Sequence, residues 1–117
     1  LTSLSDQDIW AAGFDPALDT GKQARRLAML AQSAGLDGVV CSPLDLAGIR
    51  EATGKAFLTV VPGIRPAGEA ANDQKRVATP AATLATGADI LVIGRAITGA
   101  ADPAEAAARI GAELRHG

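Results

Sequence analysis

The sequence predicts a parallel α/β fold made of repeated strand–helix units. Three short apolar runs rich in β-branched residues are typical of strands buried on both faces. These runs cover residues 39–41, 57–61 and 90–93. Each follows a helix-like segment closed by a glycine, the residue that most readily takes the left-handed conformation at a helix end. The closing glycines are Gly35, Gly54 and Gly87. Helices that alternate with strands in this way indicate a parallel sheet with helical crossovers.

The starts of the helices are also marked in the sequence. Four positions carry a capping Ser, Thr or Asp, and three of these are followed by a proline suited to the first helical turn. The caps are Ser5, Ser42, Thr79 and Asp102. Helices are predicted over residues 22–34, 43–53 and 80–86, with a last one from Pro103. The opening residues Leu1, Thr2 and Ser3 are interpreted as the end of a strand.

Two architectures fit this order of elements, an open doubly wound sheet and part of a (β/α)8 barrel. A whole barrel usually has about 250 residues. A chain of 117 residues therefore has room for about half of one. The periodicity of the strands and helices does not separate the two architectures.

The composition limits the range of partners. A net charge of −2 gives no basic surface for nucleic acid or for an anionic membrane. No apolar run approaches the roughly 20 residues that span a bilayer. One cysteine, Cys41, and one histidine, His116, predict neither an internal disulfide nor a metal site. The polar opening has no secretory signal, so we expect a cytoplasmic protein.

The predicted strand ends indicate an anion-binding site. In both architectures ligands bind where the carboxyl ends of parallel strands meet. Gly63 and Arg65 follow the second apolar run, and Gly94 and Arg95 follow the third. Glycine lets a phosphate approach the backbone, and arginine offers a planar fork of donors to two phosphate oxygens. Each residue alone also fits a turn glycine or a solvated arginine, but the repeated pair predicts a phosphate site.

A long polar stretch separates Arg65 from Thr79. It covers residues 66–78 and exceeds the usual strand-to-helix connection of about 2–6 residues. We interpret it as a lid over the phosphate, in which the Gln74 amide can donate to a phosphate and accept from a base. A surface loop without a ligand fits the same residues.

Several motifs together resemble the bacterial orotidine 5′-phosphate decarboxylases. They are PGIRP at 62–66, DQKR at 73–76, VIGRAIT at 92–98, GLDGVVCS at 35–42 and LTS at 1–3. The motifs occur in the family's order over essentially the whole chain. Ala96 departs from the family pattern, in which a proline often follows the arginine.

This resemblance implies a (β/α)8 TIM barrel. Residues 1–117 would supply about its second half, from the end of strand 5 to helix 8, as part of a single decarboxylase domain. A phosphate-gripping loop would occupy about residues 64–78. The implied phosphate ligands are Arg65, Gln74, Gly94 and Arg95. Thr2 would contact the pyrimidine, and Pro62 would line the pocket near the reacting carboxylate.

The resemblance also implies an activity, the decarboxylation of orotidine 5′-phosphate to uridine 5′-phosphate in pyrimidine biosynthesis, without a cofactor or metal. Family members use a Lys-Asp-Lys-Asp network built on an Asp-x-Lys-x-x-Asp motif in the first half of the barrel. The lysines of this chain, Lys22, Lys55 and Lys75, lie in no such motif. We therefore assign no catalytic residue in this segment and expect it to be inactive alone. Its role would be to supply remote binding energy.

Two other functions remain open. One is a metal-dependent sugar-phosphate lyase of the same barrel superfamily, of the hexulose-6-phosphate synthase type. The other is a non-catalytic half barrel that binds phosphate. The expected partners are the small-molecule substrate, the missing N-terminal half and a second copy in a homodimer. Without that half, two sheet edges would be open and an apolar inner face would meet water, so we expect the segment not to be an active monomer.

Overall fold

Three parallel strands form the sheet, in the order β1–β2–β3. A computed structural model describes residues 1–66 and 78–116 of the chain. The strands are β1 (Gly38–Val40), β2 (Leu58–Val61) and β3 (Ile90–Leu91). Val39 pairs with Thr59, and Val60 pairs with Ile90, in parallel register. All three strands overlap the predicted apolar runs, so the predicted parallel sheet is confirmed.

Helices connect the strands and cover one face of the sheet. In chain order they are α1 (Asp6–Ala11), α2 (Thr20–Ser33), α3 (Leu46–Thr53), α4 (Pro80–Thr86), α5 (Arg95–Thr98) and α6 (Pro103–His116). Within the described residues, none of these helices has the length and apolar character needed to cross a bilayer.

Most of the predicted helix caps are confirmed. The Ser5 hydroxyl accepts from the Asp8 amide, and the Asp8 carboxylate accepts from the Ser5 amide at 2.8 Å, which makes a capping box. The Thr79 hydroxyl caps α4, and Gly87 ends that helix in the left-handed conformation with φ 114°. These local signals therefore place two helices at their predicted positions.

The predicted start of α3 is wrong by three residues. Ser42 does not cap the helix, because its hydroxyl accepts from the nearby Leu44 amide at 3.3 Å. The Asp45 amide then donates to the Ser42 carbonyl at 3.0 Å, which closes a turn before α3 begins at Leu46. A serine that bonds two residues ahead stabilises a turn instead of a helix start.

The opening residues do not form the predicted strand end. Thr2 and Ser3 lie in a turn, and the Leu4 amide donates to the Leu1 carbonyl at 3.2 Å. A turn satisfies these backbone groups within the chain itself, whereas a strand needs a neighbouring strand to bond them.

The core lies between the sheet and two helices. Its buried members are Ala28 of α2, Leu46 and Ile49 of α3, and Cys41, Val61 and Ile64 beside the strands. The other face of the sheet is apolar and exposed. Val40, Leu58, Ile90 and Val92 are each between 46% and 64% exposed there. This observation confirms the expectation that an apolar inner face meets water.

Candidate functional site

The predicted site residues follow the carboxyl ends of neighbouring strands. Pro62 comes directly after β2, and Gly94 comes shortly after β3. The Val92 amide donates to the Val61 carbonyl at 3.0 Å, so the ends of these two strands are in contact. The segments that carry Arg65 and Arg95 therefore leave the sheet side by side.

The backbone around Arg65 is fixed by hydrogen bonds. The Arg65 amide donates to the Ala78 carbonyl at 3.0 Å, and the Ala78 amide donates to the Gly63 carbonyl at 3.3 Å. Gly63 is buried with φ 76°, a conformation that favours glycine. Ile64, which lies between Gly63 and Arg65, is fully buried. The backbone of residues 63–65 is thus bonded to Ala78 near the end of β2, and this contact is called the Gly63–Ala78 stem.

The Arg65 side chain is held close to that stem. It is only 7% exposed, and its Nη1 donates to the Ile64 carbonyl at 3.1 Å. A buried guanidinium is costly unless its donors are bonded, so this contact helps to retain the charge at the strand end. The positively charged Arg65 guanidinium is therefore held in position by the protein itself, without a ligand.

Arg95 is the first residue of α5 and is exposed. The preceding Gly94 carbonyl accepts from the Ile97 and Thr98 amides at 2.9 and 3.0 Å, which fixes the start of the helix. A side chain at Gly94 would meet nothing within 4 Å, so its backbone is open to approach. The sequence places Arg95 at a strand end but does not reveal α5, because four residues are too few to show helical periodicity.

Thr2 lines a groove beside β1, together with Cys41 and Ser42, which follow the carboxyl end of that strand. The groove has a volume of about 100 Å³, and its polar lining includes Ser42 and Asp45. Ser42 is 1% exposed and Asp45 is 5% exposed. In the sequence, these two residues indicate only the start of a helix. Gln74, predicted to bind phosphate, lies outside the described residues.

Cys41 lines the same groove as a neutral thiol. Burial, followed by the nearby Asp45 carboxylate, raises the pKa of the Cys41 thiol to about 11 against the opposing effect of Arg50. A thiol that stays protonated is a poor nucleophile, so Cys41 fits a packing role.

Of the two described lysines, Lys22 lines a surface pocket together with Asp45, which also belongs to the groove that contains Thr2. Lys22 is exposed in the first turn of α2, and Lys55 is exposed before β2, on the amino-terminal side of the sheet. Lys75 lies outside the described residues. Residues 1–66 and 78–116 contain no group of three His, Cys, Asp or Glu side chains that could hold a metal ion.

A family model and curated relatives match almost the whole chain. The model described as "Orotidine 5'-phosphate decarboxylase / HUMPS family" matches residues 1–110. An orotidine 5′-phosphate decarboxylase of Paramagnetospirillum magneticum is 56% identical over 97% of this chain and 48% of its own length. One from Rhodospirillum rubrum is 52% identical over 97% of this chain and 45% of its own length. The chain spans about half the length of the curated relatives it matches.

Solved structures show the same relationship. The crystal structure of orotidine 5′-phosphate decarboxylase from Lactobacillus acidophilus matches with a TM-score of 0.77 and 38% identity, over 97% of this chain and 46% of that one. The enzyme from Pyrococcus horikoshii matches with a TM-score of 0.64 and 27% identity, over 91% and 46%. The three parallel strands and their helices are therefore part of a (β/α)8 barrel, and the open doubly wound alternative is excluded.

Proposed function

The chain belongs to the orotidine 5′-phosphate decarboxylase / HUMPS family, and we propose that it is the phosphate- and pyrimidine-binding half of an orotidine 5′-phosphate decarboxylase. The complete barrel would convert orotidine 5′-phosphate to uridine 5′-phosphate in de novo pyrimidine biosynthesis. Residues 1–117 would be the carboxy-terminal half of its single domain. The names of the two curated relatives described above support this activity.

One observation carries the proposal. Two adjacent parallel strands end in contact, and each is followed within a few residues by a glycine and an arginine. In (β/α)8 barrels the loops after the last two strands are the usual phosphate site. The buried, hydrogen-bonded Arg65 supplies a preformed cation there. Arg95 supplies the second fork of donors and Gly94 the open backbone.

The pyrimidine end of the substrate would lie further along the same edge of the sheet. Thr2 lies beside the end of β1, and Pro62 directly follows β2. Neighbouring strands are about 4.8 Å apart, so the ends of β1 and β3 are roughly 10 Å apart. That span suits one nucleoside monophosphate with its phosphate near β3 and its base near β1.

Gln74 belongs to the same proposed phosphate site. It would act from a gripping loop at about residues 64–78, and the Gly63–Ala78 stem supports this role because it joins the two ends of that stretch at the strand edge. The Gln74 amide would link the phosphate to the base. Binding energy gained at the non-reacting phosphate would then stabilise the transition state at the distant reacting carbon.

The bond-breaking groups would come from the first half of the barrel. Cleavage of the carbon–carboxylate bond releases carbon dioxide and leaves the electron pair on C6 of the pyrimidine. A lysine of the family's Asp-x-Lys-x-x-Asp motif would stabilise that carbanion and then protonate it. We further propose a cytoplasmic homodimer as the complete form.

The test uses a complete barrel, here called the joined chain. It consists of this chain preceded at Leu1 by the amino-terminal part of the Paramagnetospirillum magneticum relative. We expect the joined chain to convert orotidine 5′-phosphate to uridine 5′-phosphate at the same rate with and without a metal chelator. Activity lost on chelation, with turnover of a sugar phosphate, would favour the lyase alternative. Phosphate binding by a folded joined chain that shows no turnover would favour the non-catalytic alternative.

A further inference from the structure

We propose that Glu113 of α6 is a positioning residue for the phosphate site, and that it acts on Arg65 through the Gly63–Ala78 stem. The Glu113 carboxylate accepts a hydrogen bond at 3.2 Å from the Ala81 amide, in the first turn of α4. The inference rests on the proposed function, because it takes Arg65 as a ligand of the phosphate. It adds a residue that would act on binding without touching the substrate.

Glu113 is the polar member of the face that α6 turns toward the rest of the fold. Ala106, Ile110 and Glu113 are four and three residues apart, so they lie on the same side of the helix. Ala106 is 2% exposed, Ile110 is 6% exposed, and Glu113 is half-buried. α6 packs against α4. The bond from Ala81 to Glu113 therefore fixes where the end of α6 meets the start of α4.

The first turn of α4 leaves one amide for this carboxylate. Pro80, the first residue of the helix, has no amide hydrogen to donate. The Ala82 amide donates to the Thr79 hydroxyl at 3.4 Å, which satisfies that group within the helix cap. The Ala81 amide lies between these two positions and donates to Glu113 instead. A residue from a distant part of the chain thus completes the start of α4.

A short run of backbone connects the start of α4 to Arg65. Only Thr79 and Pro80 separate Ala81 from Ala78. Pro80 is buried, and the preceding Thr79 is extended with φ −78° and ψ 156°, as a residue before proline favours. The Ala78 carbonyl accepts from the Arg65 amide at 3.0 Å. A shift of α4 relative to α6 would therefore move the backbone that carries Arg65.

Arg65 is sensitive to such a shift. Its side chain is 7% exposed, and Nη1 is already bonded to the Ile64 carbonyl at 3.1 Å, so the guanidinium has little freedom to follow a displaced phosphate. Its planar fork binds two oxygens only in a narrow range of orientations. Loss of the Glu113 bond should therefore weaken interactions with the phosphate and leave the reacting end of the substrate unaffected.

Two matched pairs of variants of the joined chain test this role. Glu113→Ala removes the acceptor, whereas Glu113→Gln keeps a side-chain oxygen that can accept from the Ala81 amide. Glu105→Ala and Glu105→Gln are the controls, because Glu105 is exposed in the first turn of the same helix. Each variant is assayed with orotidine 5′-phosphate and with orotidine, which lacks the phosphate.

The two substrates should respond differently. Glu113→Ala should lower kcat/KM for orotidine 5′-phosphate roughly fivefold or more, with almost no change for orotidine. Glu113→Gln should restore most of the lost activity, and both Glu105 variants should match the wild type. An equal loss with both substrates, no loss with either, or a Glu113→Gln variant as impaired as Glu113→Ala would overturn the proposal.

A double-mutant cycle shows whether Glu113 acts through Arg65. In an Arg65→Ala background, Glu113→Ala should cause almost no further loss with orotidine 5′-phosphate, because the group that it positions is gone. In an Arg95→Ala background the loss should persist. A loss that is as large in the Arg65→Ala background as in the wild type would also overturn the proposal.

The same variants separate this inference from the proposed function. If the joined chain does not turn over orotidine 5′-phosphate, the function fails, and the variants are compared by their Kd for uridine 5′-phosphate. Weaker binding by Glu113→Ala, restored by Glu113→Gln, would still support the positioning role. Equal Kd values for all variants, or no binding by any of them, would overturn it together with the function.

Discussion

Arg50 and Asp89 form an ion pair between α3 and the start of β3, although they are 39 residues apart in sequence. The Arg50 guanidinium also donates to the Gly87 carbonyl at 2.8 Å and to the Thr59 hydroxyl at 3.0 Å. Asp89 in turn accepts from the Thr59 amide at 2.9 Å. This cluster joins two strands and a helix at the amino-terminal end of the sheet, opposite the candidate site.

Replacing Arg50 should destabilise the fold strongly. Its side chain is only 13% exposed, so Arg50→Ala removes the donor that bonds the carbonyl of the buried Phe57 and the carbonyl of the half-buried Gly87, and should cost about 2–4 kcal/mol. Arg50→Lys should recover only part of this, because an ammonium cannot reproduce the planar fork. Urea unfolding of the joined chain measures both values.

An exposed ion pair between α2 and α3 provides the control. Arg25 and Glu51 are 3.9 Å apart, with side chains 44% and 75% exposed. Arg25→Ala should therefore change stability by less than about 1 kcal/mol. Comparable losses for Arg50→Ala and Arg25→Ala would contradict the role given to the Arg50 cluster.

The Asp89 carboxyl should make the free energy of unfolding depend on pH. The Thr59 amide, followed by Arg50, lowers the pKa of the Asp89 carboxyl below its ordinary value of 3.8. A group with a lowered pKa in the folded state stabilises the protein above its unfolded pKa and loses this effect as pH falls. The difference in unfolding free energy between the wild type and Asp89→Asn should have its full value at about pH 6. It should decrease as the pH falls below 3.8. An advantage that stays constant across this range would contradict the assignment.

Gly38 should not tolerate a side chain. An added methyl group would lie 2.7 Å from Leu58 Cβ and would overlap the Leu58 carbonyl oxygen in the paired strand. Gly38→Ala should cost about 1–3 kcal/mol of unfolding free energy. Gly48→Ala is the matched control, because nothing lies within 4 Å of the new methyl group. It should stabilise α3 by about 0.5–1 kcal/mol, so a destabilising result there would question the packing described for both glycines.

Cys41 should resist alkylation in the folded protein. It is 4% exposed, and burial raises the pKa of its thiol to about 11, so little thiolate is present at pH 8. Iodoacetamide should label Cys41 slowly in buffer and rapidly in urea, as mass spectrometry would show. Equal labelling rates in the two conditions would mean that the reagent reaches Cys41 in the folded protein.

The sequence predicted those elements whose signals are local. The capping box at Ser5 and the Thr79–Gly87 pair needed only neighbouring residues, and both appear as expected. The start of α3 was predicted wrongly, because the Ser42 hydroxyl accepts from the Leu44 amide and does not cap the helix. The residue types alone do not distinguish these two arrangements. The strand end predicted at the opening residues does not form, because a strand depends on a partner strand and these residues instead close a turn among themselves.

The sequence predicted only part of the candidate site, because the rest depends on contacts between distant parts of the chain. Order along the chain places Arg65 and Arg95 after consecutive strands, and their adjacency follows once those strands pair. Burial of Arg65 could not be predicted, because it depends on the contact of the Gly63–Arg65 backbone with Ala78. Likewise, Ser42 and Asp45 join Thr2 only through the three-dimensional packing of α2 against β1.

The proposal that Arg65 and Arg95 bind the phosphate of the substrate can be tested by one kinetic comparison. The joined chain and its Arg95→Ala variant are assayed with orotidine 5′-phosphate and with orotidine, which lacks the phosphate. Arg95→Ala should lower kcat/KM for the phosphorylated substrate by roughly a hundredfold while leaving the value for orotidine almost unchanged. An equal loss with both substrates, or no loss with either, would contradict the claim.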